Sequence, residues 1–72
     1  METATETILV NDRPRVLRPG ETLAGLVADL GLAERKGVAV AVNGSVVPRL
    51  KWPARALGVN DRVLVIQATQ GG

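Results

Sequence analysis

Only one stretch of this chain carries a helical period. Leu23, Leu26, Val27 and Leu30 recur at i, i+3, i+4 and i+7, which places them on one face of a helix. Thr22 stands just before them, and its hydroxyl can accept a hydrogen bond from a free amide of the first turn. Gly31 stands just after them, where a left-handed residue stops a helix. The other apolar residues come in short runs divided by turn residues. In a chain of 72 residues, a lone amphipathic helix laid over one face of a mixed sheet is the two-layer arrangement that buries such a pattern. Gly25 lies inside the helix at a cost of about 1 kcal/mol relative to alanine, which predicts close packing of the helix on the sheet.

The strands follow in order. Thr7-Ile8-Leu9-Val10 is apolar, Asn11-Asp12-Arg13-Pro14 carries turn residues, and Arg15-Val16-Leu17-Arg18 returns, so a hairpin is expected. Pro14 cannot donate to a ladder, which puts the second strand at a sheet edge or starts it at Arg15. Val38-Ala39-Val40-Ala41-Val42 alternates, with the valines expected to face the helix. Asn43-Gly44 then predicts a two-residue hairpin returning through Ser45-Val46-Val47 to Pro48. The proline-broken segment Arg49 to Leu57 allows one helical turn, with Trp52 expected as a lid over one end of the core. Arg49, Lys51 and Arg55 surround that tryptophan with positive charge, either as a solvated face or as a docking surface for an acidic partner. Gly58 to Arg62 turns into Val63-Leu64-Val65-Ile66, read as a buried central strand with Ile8-Leu9-Val10 as its best-matched neighbour. Parallel pairing of those two strands makes the fold class α+β, a ubiquitin-like β-grasp, in a single domain over residues 1–72. Residues 1–6 form a polar leader and 69–72 a mobile tail.

The absences are as informative as the runs. The chain has no cysteine and no histidine, which removes thiolate metal sites, disulfides and the Ser-His and Cys-His nucleophile pairs. No metal site, no bound cofactor and no independent catalytic centre are expected. A net charge of +2 and a single aromatic residue, Trp52, make a weak case for nucleic acid. Neither a signal peptide nor an apolar run near the roughly 18 residues of a membrane span is visible, so no membrane partner and a cytoplasmic location are expected.

The chain ends in Thr69-Gln70-Gly71-Gly72. A Gly-Gly end has no side chains, so it can thread a crevice closed to other residues and carry a carboxylate into a catalytic centre on another protein. Fully extended, the segment from Thr69 to Gly72 reaches about 13 Å. Gly72 is then the reacting residue, with Gly71 and Gln70 as the slim approach. Alternatively, the Gly-Gly is incidental to a noncatalytic β-grasp interaction module.

The run Val40-Ala41-Val42-Asn43-Gly44-Ser45-Val46-Val47-Pro48-Arg49-Leu50-Lys51-Trp52, followed by Leu57-Gly58-Val59-Asn60-Asp61-Arg62-Val63 and the terminal Gly71-Gly72, resembles the ThiS family of thiamine-biosynthesis sulfur carriers. The match covers nearly everything from Thr7 onward. Asn60-Asp61 stands where relatives usually have Gly-Asp, a mild departure because asparagine also tolerates positive φ. The resemblance implies that a ThiF-like adenylating enzyme, holding ATP and magnesium in its own site, activates the Gly72 carboxylate as an acyl-adenylate. Sulfur from a donor such as a cysteine desulfurase then replaces the adenylate, and the thiocarboxylate is delivered to thiazole synthase. A carrier for molybdopterin synthesis would share this tail chemistry and differ in its acceptor.

Overall fold

The computed structural model describes residues 6–68. Its elements are β1 (Thr7–Val10), β2 (Arg13–Val16), α1 (Leu23–Asp29), β3 (Val38–Val42), β4 (Ser45–Val47), a 3-10 helix (Arg49–Ala54) and β5 (Arg62–Gln67). The sheet order is β2-β1-β5-β3-β4. The first and last strands pair in parallel through Leu9↔Arg62 and Val10↔Val63, and the other pairings are antiparallel. The expected β-grasp arrangement is therefore present, with β5 at its centre.

Local chemistry sets the ends of these elements. Both two-residue hairpins use positive φ at both turn residues: Asn11 and Asp12 at 51° and 68°, Asn43 and Gly44 at 52° and 86°. These are the mirror-image turns whose twist matches the flanking strands. β2 begins at Arg13 rather than Arg15, and Pro14 sits within it opposite Leu9. The missing N–H is harmless because β2 is an edge strand. At α1 the Thr22 hydroxyl accepts from the Gly25 amide at 3.1 Å. Gly31, at φ 78°, closes the helix while the amides of Gly31 and Leu32 donate to Ala28 O and Val27 O, the paired bonds of a Schellman stop.

The core lies between α1 and one face of the sheet. Leu23, Leu26 and Val27 meet Ile8, Val10, Val40, Val42, Val63 and Val65, while Trp52 and Leu57 close one end. Trp52 is buried, and its indole N–H donates to Val47 O at 2.9 Å, so it is the expected lid. Two expectations need correction. Gly25 is exposed, and a Cβ there would meet only the Thr22 hydroxyl at 3.5 Å; no close approach to the sheet requires it. β5 is buried on one face alone: Val63 and Val65 point into the core, whereas Leu64 and Ile66 are 48% and 53% exposed. One helix covers one face, and among the described residues no second layer covers the other.

Candidate functional site: the open sheet face and the approach to the C-terminus

The site is built from the alternation of three strands. In the central strand β5, each residue next to an inward valine points outward, so Leu64 and Ile66 share the uncovered face. Register places Ala41 and Ala39 of β3 opposite them, and Val46 of β4 opposite Ala41. Leu9 of β1 is half-buried on the same side. The result is a mainly apolar surface with small alanines at its middle, Val46, 74% exposed, at one edge, and Arg62 of β5 beside Leu9. A patch of this kind on a small domain is a candidate interaction surface.

The same strand leads towards the C-terminus. β5 ends at Gln67, and the next amide, of Ala68, donates to Gly37 O at 2.8 Å. Gly37 has φ 75°, and a Cβ on it would lie 3.2 Å from that of Ala68, so the connection into β3 passes close against the end of β5. The sequence-predicted site residues Gln70, Gly71 and Gly72, and the expected mobility of residues 69–72, lie outside the described residues.

The basic cluster around Trp52 is not one surface. Arg49 donates to Ala33 O at 2.9 Å and to Arg35 O at 2.7 Å, and its guanidinium stacks over the Trp52 ring at 4.7 Å from the centroid. It ties the loop before β3 to the 3-10 helix. Arg55 donates to Ala56 O and lies 4.0 Å from Asp61. Lys51 remains exposed. Asp61 is held by the local turn: Gly58 N–H donates to it at 2.8 Å and the Asn43 amide at 2.9 Å. Burial pushes its carboxyl up, but those two donors and the Arg55 charge together hold it below the ordinary aspartate value. Among the described residues no group of three His, Cys, Asp or Glu side chains converges as a metal site. No described helix is long and apolar enough to cross a membrane.

Sequence reasoning missed the open face, although its signal was present. The strand Val63-Leu64-Val65-Ile66 is apolar at both parities, and among the described residues one α-helix covers the sheet. Half of those side chains had to remain uncovered within the described fold.

A mixed sheet with β1 and β5 parallel at its centre and one helix on one face defines a ubiquitin-like β-grasp protein. The sequence model of the ThiS family matches residues 6–72, and the chain belongs to that family. It is 32% identical over 65 residues to the sulfur carrier protein ThiS of Escherichia coli K12, a match covering 90% of this chain and 97% of that protein. The crystal structure of a thiamine biosynthesis protein, ThiS, from Geobacter metallireducens superposes with a TM-score of 0.73 at 26% identity, covering 92% of this chain and 99% of that one. An NMR solution structure of a thiamine biosynthesis protein from the same organism gives 0.72 at 26% identity, with coverage of 92% and 87%.

Proposed function

We propose that this protein is a sulfur carrier of thiamine biosynthesis whose reactive group is the carboxylate of Gly72. The observation that carries the reading is the family match running through Gly72, on a chain whose central strand β5 ends at Gln67, five residues before Gly72. The carboxylate attacks ATP in the site of a ThiF-like adenylating enzyme, pyrophosphate leaves, and an acyl-adenylate forms. Carboxylate oxygen is a poor leaving group and adenylate a good one, so sulfur can then enter at the acyl carbon as AMP departs. The sulfur arrives from a donor such as a cysteine desulfurase as the terminal sulfur of a persulfide, which attacks the acyl carbon; a thiol reductant then cleaves the resulting acyl disulfide, and the thiocarboxylate passes its sulfur to thiazole synthase. ATP and magnesium belong to the partner, and this chain acts as a protein cosubstrate.

The apolar face of Leu64, Ile66, Ala39, Ala41, Leu9 and Val46 is the surface we assign to the adenylating partner. It lies on β5, whose last residue, Gln67, precedes the tail, so docking there brings the partner to the strand from which the chain continues to Gly72. Glycine at position 71 leaves the approach narrow, with Gln70 ahead of it. Intact and C-terminal peptide mass spectrometry after incubation with ATP, the adenylating partner and a sulfur source tests the reading. The expected product has one oxygen replaced by sulfur at Gly72; modification at an internal residue, or none with a competent partner, refutes it.

A further inference from the structure

β1 stops one pairing step too early for the strand it supports. Val10 is opposite Val63, and the chain then turns away at Asn11 and Asp12, while β5 continues through Leu64 to Gln67. The Asn11 backbone N–H still reaches Val63 O at 2.9 Å. The next residue of β5 to face that side is Val65, and no β1 backbone remains to meet it. The side chain of Asn11 takes that place. Val65 N–H donates to Asn11 Oδ1 at 2.8 Å, and Asn11 Nδ2 donates back to Val65 O at 3.2 Å. A primary amide carries the same donor and acceptor as a peptide group, so it closes the pair as a strand residue would. Aspartate lacks the donor, and the left-handed backbone at Asn11, φ 51°, disfavours most other residues.

We infer that Asn11 is a positioning residue for the C-terminus: its amide clamps β5 at Val65 and so sets where the tail leaves the sheet. The inference rests on the sulfur-carrier reading for its consequence, but the clamp can be tested on the free protein. On its other edge β5 is held by β3, through Ile66 opposite Ala39 and Gln67 opposite Val38. With Asn11 the strand is gripped from both sides up to Val65, so the point from which the chain continues towards Gly72 is held in place. A misplacement of about 1 Å at a reacting atom can cost about a hundredfold in rate.

Asn11→Gly removes the amide while keeping a residue that accepts positive φ. Asp12→Gly perturbs the same turn without touching the clamp, because the Asp12 side chain is 83% exposed and, among the described residues, pairs with Arg62 rather than with β5 backbone. Hydrogen exchange by NMR should show the Val65 amide of Asn11→Gly exchanging about tenfold or more faster, relative to the β3 amides, than in wild type or Asp12→Gly. In ATP-pyrophosphate exchange catalysed by the adenylating partner, below the melting temperature of each variant, kcat/KM should fall about tenfold for Asn11→Gly and stay near wild type for Asp12→Gly. Asn11→Asp, which keeps the acceptor, should fall between them. Unchanged exchange at Val65 overturns the clamp. Faster exchange at Val65 with kcat/KM equal to that of Asp12→Gly overturns the positioning role. If wild type itself supports no pyrophosphate exchange, the carrier reading fails, and with it the consequence drawn for Gly72.

Discussion

Replacing Arg49 by alanine is expected to destabilise the fold by about 2 kcal/mol, as the sum of three contacts. Its guanidinium makes hydrogen bonds of 2.9 and 2.7 Å to Ala33 O and Arg35 O, each worth about 0.5–1.5 kcal/mol net. Its stacking on Trp52, at 4.7 Å, adds about 0.5–1 kcal/mol at an exposed site. The range is about 1.5–4 kcal/mol, and the exposure of Arg49 favours its lower part. In a domain of this size each kcal/mol moves Tm by about 4–8 °C, so a fall of about 8–16 °C is expected in thermal denaturation followed by circular dichroism. Arg49→Lys should lose about half as much, because a single ammonium cannot bridge two carbonyls and stack on the ring. Lys51→Ala, which removes a neighbouring exposed charge, should stay within about 0.5 kcal/mol. Added salt should change the Arg49 effect little, since its hydrogen-bond partners are neutral carbonyls. An Arg49→Ala shift no larger than that of Lys51→Ala would refute the stapling role and return Arg49 to the solvated or docking surface.

Gly25→Ala should stabilise the protein by about 0.5–1 kcal/mol in chemical denaturation, because the added methyl meets the Thr22 hydroxyl alone among the described residues and the helix gains propensity; destabilisation would mean that residue 25 has no room for a methyl. The double variant Leu64→Ser, Ile66→Ser should remain folded yet raise KM in partner-catalysed pyrophosphate exchange by about tenfold, and an unchanged KM would remove the open face from docking. Asp61 has its carboxyl held below the ordinary value, so its contribution is present above about pH 3.9 and disappears as pH falls through the lower folded value. Asp61→Asn should therefore flatten the acid limb of a Tm-against-pH curve, and an identical limb would show that other carboxylates govern it. Gly71→Val should nearly abolish thiocarboxylate formation while changing stability by no more than about 0.5 kcal/mol, because branching widens the approach; normal formation would refute threading.

What the residues determined by themselves was local. Asn43-Gly44 could only turn tightly, Thr22 and Gly31 bracket a helix through bonds made within a few residues, and the valines of β3 alternate at the period of a strand. The Gly-Gly end and the absence of cysteine and histidine likewise needed no fold to direct attention to Gly72. Even the β-grasp arrangement was reachable, because the two most apolar strands favour the buried centre of a sheet. What tertiary structure decided were relations between distant residues whose local patterns are ambiguous. Arg49 reads as a surface charge until the loop before β3 brings two carbonyls to it. Asn11 reads as a turn residue until β5, which lies 54 positions away at Val65, arrives with an unpaired peptide edge. Leu64 and Ile66 read as core because hydrophobicity reports the tendency to leave water, whereas the number of layers decides which face does. With one α-helix above the sheet, the described fold buries Val63 and Val65 and leaves their neighbours Leu64 and Ile66 uncovered.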